Sequence, residues 1–518
     1  ISLVAAILIA LFAAEVLLET SVKSPTSDEP PHIASGLAYV AKRNFNGNRE
    51  HPPLLKELSG LSLLLGGVRW PVTPETEKFL RGEHAPSEQP EWEIGNRIIS
   101  DNGPDRTLFW ARLPLVMVAC LLAIAIFVFT RDLLGDLAAL GALALLVLDP
   151  TIEGHSGLVT MDVGVAAFGF LFLWRILRYR DNPTWTNVVW CGASLACTLG
   201  AKFSGALFVP IALALLLVQN DKPGGLLKPI GVTALIAYAL IHAMYMFPAD
   251  PLAYWHGMRQ VNANHNADYA VYLAGQFQIK PFSYFFYTYV LKEPLPTALL
   301  AMLGLAWTVT DKKRSIQQKA FLVLPGLGWF VAHLFLADPL GIRYIIVTVV
   351  AGHILGGFAI ARLWGTARYV ATALLAWAAL SAIGSYPNHI PYFNEVACLA
   401  GGNSPVGLDG GSKCGPWWSD DSNVDWGQGL KQLKSWMDAN AKGRRIRVMN
   451  PYGFPAEAYG IATEPLNGRE LAERPPGLYA VSAHLFARLR PQPGEGNWMR
   501  LEKPIAVVGN AYYIFDLP

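Results

Sequence analysis

Apolar runs about as long as a bilayer is thick set the first limit on this chain. A spanning helix needs about 20 apolar residues, and stretches such as Leu113 to Phe129, Leu137 to Leu148 and Val163 to Trp174 recur along the sequence. Across 518 residues, 53% are hydrophobic and only 15% are charged, too few charges for a water-soluble enzyme of this size. The expected fold is therefore an all-α polytopic membrane protein. The formal net charge of +2 carries no signal for nucleic acid, and none is expected as a partner.

Eleven spans are expected, at roughly 1–20, 110–130, 135–149, 157–175, 186–200, 204–218, 229–247, 294–310, 320–337, 343–361 and 369–385. The first reads as a retained helix, because the polar stretch after it has no small-residue cleavage site. Residues 188–218 would form a helix of about 46 Å if continuous, against a hydrocarbon core of about 30 Å, so the run is split at Gly200-Ala201-Lys202. With that split, the loops bearing Arg175, Arg178 and Arg180, then Lys222 and Lys228, then Lys312, Lys313 and Arg314, then Arg362 and Arg368 share one side. The positive-inside rule makes that side cytoplasmic. Three long segments, 21–109, 248–293 and 386–518, then fall outside. This asymmetry fits an enzyme or receptor working at the external surface.

The last segment reads as a small α/β extracytoplasmic domain, leaving 1–385 as the transmembrane domain. Leu430, Leu433, Trp436 and Met437 recur at helical spacing between Trp426 and Ala439, and β-like runs follow at Arg445 to Met449, Gly477 to Ser482 and Ile505 to Phe515. Of five cysteines, Cys120, Cys191 and Cys197 lie in apolar runs and read as packing residues. Cys398 and Cys414 can bridge if their segment is external.

The charged residues that remain at the expected external mouths carry the chemistry. Asp28 and Glu29 follow the first span, with His32 close behind, and the loop continues to Glu50, His51 and Lys56. A carboxylate there can take a proton from a hydroxyl while nearby cations neutralise a phosphate leaving group. Asp28 equally suits a helix N-cap with Pro30 in the first turn. Asp162 stands at the mouth of the fourth expected span, where an ionisable group is costly unless paired or wetted. Lys202 and Arg343 place positive charge outside, against the inside rule. A phosphate would account for both, and snorkelling to headgroups is the alternative for Lys202. Lys292 and Glu293 suit a mutual pair or a loop-orienting role. Glu50 and His51, with Glu29 and His32, also offer divalent-metal ligands, without diagnostic spacing.

Together the stretches SDEPPHIASGLAYV, NREHPPLLKEL, GHSGLVTMDV, LGAKFSG, YLAGQF with LKEPLP, GIRYIIV and DSNVDWGQGLKQL resemble the GT-C superfamily of membrane glycosyltransferases. The resemblance is to the group holding protein O-mannosyltransferases (glycosyltransferase family 39) and lipid A aminoarabinose transferases, in its bacterial branch. It implies a polyprenyl-phosphate sugar donor, an acceptor protein, envelope glycan or lipid, and a place in a bacterial inner membrane. It also implies Asp28 as general base, Glu29 its acidic neighbour, Asp162 a second essential acid, and Lys202 and Arg343 as phosphate holders. His32, Glu50, His51 and Lys292 stand as supporting residues, and no cofactor is required. His51 departs from the aminoarabinose transferases, which carry Lys there. A transporter for a lipid-linked sugar and a non-catalytic envelope subunit are the competing functions.

Overall fold

The computed structural model describes every residue except 85–87, 219–222, 265–267, 402–403, 467–471 and 492–496. Lys222, counted above among the cytoplasmic charges, lies outside the described residues. Helix α1 (Ser2–Ser21) leads into a segment holding α2 (Glu29–Lys42), α3 (Leu54–Leu65), α4 (Pro74–Arg81) and α5 (Pro90–Asp101). Apolar helices follow as α6 (Pro104–Leu134), α7 (Asp136–Val147), the short α8 (Pro150–Ser156), α9 (Asp162–Asp181), α10 (Trp185–Ala201), α11 (Phe208–Leu217) and α12 (Leu227–Met244). A second loop carries α13 (Ala253–Asn264) and a hairpin of β1 (Ala270–Leu273) and β2 (Gln276–Ile279). Then come α14 (Tyr284–Lys292), α15 (Leu295–Thr310), α16 (Ile316–Leu336), α17 (Ile346–Trp364) and α18 (Arg368–Ser385). The remainder contains α19 (Val396–Leu399), α20 (Leu430–Asn440), β3 (Ile446–Met449), β4 (Gly477–Ser482), α21 (Ala483–Leu489), β5 (Ala506–Val508) and β6 (Tyr512–Leu517).

Five helical segments, Ser2–Ser21, Pro104–Leu134, Gly224–Met244, Ile316–Leu336 and Ile342–Trp364, are each long and apolar enough to cross a membrane. Two bent pairs bring the number to seven among the described residues: α7 with α8, at 65°, and α14 with α15, at 115°. The count falls short of eleven because several expected runs fold as short or broken helices. Both bends have local causes: Asp149 and Pro150 open α8, and Glu293 leaves the helical conformation just before Pro294. Exposed Leu3, Ile7, Leu235, Met302 and Phe335 give these helices an apolar outer surface suited to lipid. The chain is a membrane protein. The split at 200–202 has its counterpart, since α10 ends at Ala201 and Lys202 is extended. The helix after it turns back so closely that a side chain on Gly205 would overlap the Thr198 carbonyl.

Residues 386–518 build a four-stranded sheet in the order β3-β4-β6-β5, with β3 and β4 parallel and the other pairs antiparallel. The run expected at Ile505 to Phe515 is two strands, because Gly509 and Asn510 both take positive φ in a tight turn closed by Ala511 N–H to the Val508 carbonyl. Helix α20 starts at Leu430, four residues later than the expected Trp426, since the chain before it is committed to other contacts. Cys398 and Cys414 are disulfide-bonded. The apolar core is shared with the helical bundle: Leu430, Leu433 and Met437 belong to the same buried cluster as Phe12, Ile33 and Ile98.

The three long segments interlock. Ser24 and Ser27 donate their N–H groups to the carbonyls of Gln428 and Trp426, Asn96 reaches the Gly453 carbonyl, and Ala274 N–H bonds the Trp418 carbonyl. They therefore gather at one end of the bundle.

Candidate active site

The site begins at the junction of α1 and α2. Asp28 occupies the N-cap position of α2, but its side chain caps nothing. Its Oδ2 instead accepts from Arg343 Nη1 at 2.9 Å, and the side chain keeps 28% of its exposure. The N-cap role that the sequence left open for Asp28 is therefore not the one its side chain takes. Pro30 and Pro31 have no N–H groups to satisfy in the first turn, so the helix starts without a side-chain cap and the carboxylate is left to point elsewhere.

Arg343 sits in a 3-10 turn (Ile342–Ile345) that opens α17. The preceding Gly341 has φ +121, and a side chain there would overlap Ser422 Oγ. Only glycine suits both. Asn423 Oδ1 accepts from Ile342 N–H at 3.0 Å and Ser422 Oγ donates to the Leu340 carbonyl at 2.6 Å, so residues 422–423 hold the turn from above. The Trp426 ring lies 4.1 Å from the guanidinium carbon of Arg343, within cation–π range.

Asp162 opens α9 and is almost fully buried; its Oδ1 accepts from Lys202 Nζ at 2.6 Å and its Oδ2 lies 3.7 Å from Arg343 Nη1. Tyr344 lies under both cations, 4.6 Å from Lys202 Nζ and 5.2 Å from Arg343. Asp28, Arg343, Asp162 and Lys202 thus form one chain of alternating charge. The structure brings together four predicted residues from four separate segments.

Glu29 stands apart from them. It is fully buried, receiving both prongs of the Arg112 guanidinium at 2.8 and 2.7 Å, together with N–H groups of Thr26 and Val159. Burial would raise its pKa, but Arg112 and these donors hold it below the usual carboxylate range. Its lone pairs are thus taken up by Arg112, Thr26 and Val159, so Glu29, expected as the acidic neighbour of the base, faces away from the Asp28–Arg343 pair. Arg112 also binds the carbonyls of Thr20, Lys23 and Ser24, which fixes the turn leading into Asp28.

His32 Nδ1 bonds the Val159 carbonyl at 2.7 Å, so Val159 is gripped from both sides just before Asp162. The His32 and His51 rings are 5.4 Å apart. Burial and the nearby Lys56 lower His32 to about 4, and burial, His32 and Lys202 hold His51 well below the ordinary histidine value. Both are neutral near pH 7. Glu50 lies in the same loop, within electrostatic reach of Lys56. Lys56 itself turns away from the quartet to donate to Asn48 Oδ1 at 3.0 Å and Tyr39 at 3.3 Å.

Lys292 is buried and donates to the carbonyls of Ile390 and Asn423 at 2.7 and 2.6 Å. It thereby links Ile390 to Asn423, which bonds the turn of Arg343, and no Lys292–Glu293 ion pair forms among the described residues. Two sets of carboxylates and imidazoles are close enough to share a cation among the described residues, and neither contains Glu50 or His51. Sequence reasoning missed Arg112, Tyr344 and Trp426. The last lies in the DSNVDWGQ stretch, whose clustered acids and tryptophan were the available signal.

Residues 103–247 match the family described as dolichyl-phosphate-mannose-protein mannosyltransferase. None of the curated proteins matches the sequence. In fold, the chain is similar to ArnT from Cupriavidus metallidurans bound to undecaprenyl phosphate: the TM-score is 0.52 at 14% identity, covering 98% of this chain and 97% of that one. It is also similar to the Archaeoglobus fulgidus oligosaccharyltransferase, with TM-score 0.50 at 11% identity, covering 96% of this chain and 72% of that one. These matches bear out the resemblance to the GT-C group of protein O-mannosyltransferases and lipid A aminoarabinose transferases.

Proposed function

We propose that this GT-C-fold membrane protein is a glycosyltransferase that moves a sugar from a polyprenyl-phosphate carrier to an acceptor hydroxyl at the external membrane face. The observation that carries the reading is the quartet of Asp28, Arg343, Asp162 and Lys202. In it, Asp28 is the most exposed member and the two cations are nearly buried.

The transfer is a single inverting displacement. The acceptor oxygen attacks the anomeric carbon and its proton passes to Asp28. The bond from that carbon to the phosphate oxygen breaks, and its electron pair leaves with the lipid phosphate. Arg343 and Lys202 stabilise the departing charge. Arg343 is shared between Asp28 and Asp162. A donor phosphate competes for the same guanidinium, so donor binding releases Asp28 for the acceptor. Glu29, His32 and Lys292 hold the backbone on which these groups stand. Residue chemistry alone supplies every step, and a divalent cation at Glu50 and His51 would add phosphate affinity.

The reading includes eleven spans, with the gathered long segments on the periplasmic side of a bacterial inner membrane. The Cys398–Cys414 disulfide supports an oxidising compartment for that end. The acceptor is a protein or an envelope glycan or lipid.

The test is incubation of the purified chain with polyprenyl-phosphate sugars and envelope extract, followed by mass spectrometry. Covalent glycosylation is expected. Asp28→Asn should lower the rate at least about 100-fold, as loss of a general base does, with donor binding kept. Translocation without product would make the chain a transporter, binding without either would make it a complex subunit, and full activity of Asp28→Asn would remove the base.

A further inference from the structure

A second polar cluster lies inside the bundle, where the two bent helix pairs meet α17. Asp149, at the bend between α7 and α8, caps α8 through Oδ1, which accepts from Thr151 N–H at 2.7 Å and Ile152 N–H at 3.3 Å. Its Oδ2 is 2.7 Å from His353 Nε2, from the middle of α17. Glu293, at the bend between α14 and α15, completes the group: one ligand atom from each residue lies within 4.8 Å of the others. All three side chains are fully buried.

Glu293 is poorly served: no donor bonds either of its buried carboxylate oxygens, the acid beside it is Asp149, and the residue is 1% exposed. The neighbouring Lys292 acts on it only through space, because its ammonium donates to the Ile390 and Asn423 carbonyls. A buried carboxylate left in this state costs several kcal/mol. In the other close set, Glu15, Glu153 and His389, the Glu153 oxygens are also buried without a hydrogen bond, but an imidazole nitrogen already stands beside them. There His389 meets Glu19 at 3.0 Å and Glu153 at 3.0 Å, while Lys23 pairs with Glu19.

We propose that Asp149, Glu293 and His353 bind one divalent transition-metal cation, with zinc the first candidate. Two carboxylates and a neutral imidazole balance a 2+ charge, and oxygen and imidazole nitrogen donors suit zinc, with a coordination position left for water. Glu293 then gains a cation in direct contact. The cation ties both helix breaks to α17, and through Lys292 and Asn423 it steadies the turn that carries Arg343. The site is distinct from the quartet and stands whether or not the chain transfers sugar.

Metal analysis of detergent-purified full-length protein tests this. About one zinc per chain is expected after chelator-free purification. EDTA should lower the melting temperature by several degrees, and zinc chloride should restore it. Glu293→Gln and His353→Gln should each lose the metal, whereas Glu15→Gln and Asp28→Asn should keep it. Should the first two variants fail to fold, zinc K-edge absorption of the wild type decides, with one imidazole and otherwise oxygen donors expected. A metal-free wild type indifferent to EDTA and zinc overturns the proposal. So does metal lost with Glu15→Gln, or a spectrum showing sulfur or several imidazoles.

Discussion

At the residue scale, the two cations of the site differ in what they hold. Lys202 pairs with one acid, Asp162, over one ring, Tyr344, whereas Arg343 lies between two acids and two aromatic rings. Lys202→Ala should weaken donor affinity roughly 10-fold or more, the loss of one charge-assisted contact, measured by titration with a polyprenyl-phosphate lipid. Arg343→Lys should cost more, because an ammonium cannot reproduce the planar stacking on Trp426. His32 makes a prediction in pH. Its value is about 4 when folded against 6.5 for the free side chain, so the unfolded chain binds the extra proton between those limits. Stability from this residue is complete above pH 6.5 and falls as pH drops toward 4, by up to roughly 3 kcal/mol. Melting temperatures across that range should fall less steeply in His32→Gln.

At the element scale, the site rests on helix contacts made at glycines. A side chain on Gly95 of α5 would overlap the Pro30 carbonyl, two residues from Asp28, and one on Gly36 of α2 would overlap the Lys56 carbonyl of α3. Gly95→Ala must push α5 off α2 and should cost about 1–3 kcal/mol, read as a lower melting temperature together with reduced transfer. Trp426 tests the roof. It comes from the segment before α20 and covers a guanidinium some 80 positions earlier in the chain, so Trp426→Leu should raise KM for the donor more than it lowers kcat.

At the scale of the whole molecule, the interlocked long segments should face one compartment. A cysteine in place of exposed Lys442 should react with a membrane-impermeant maleimide in intact cells, and one in place of exposed Lys312 only after lysis. Labelling of both before lysis would overturn the orientation. The bundle is also less regular than hydropathy suggests, and its bends coincide with buried charge at Asp149 and Glu293. Apolar run length cannot reveal such breaks, because a bent pair and a straight helix share one composition.

The sequence by itself determined that the chain lives in a membrane, that it breaks near Lys202, and that Asp28, Asp162, Lys202 and Arg343 stand at helix ends. Those properties depend on run length, charge and neighbouring residues, all of which are local. Only the tertiary structure decided what each charge does. Asp28 and Arg343 pair across 315 positions of sequence, while Glu29, one residue away, is turned inward to Arg112. Adjacent residues on a helix point in different directions, so neighbours alike in sequence were sent to different partners. Which carboxylate stays open to a substrate is settled by the elements that close around it.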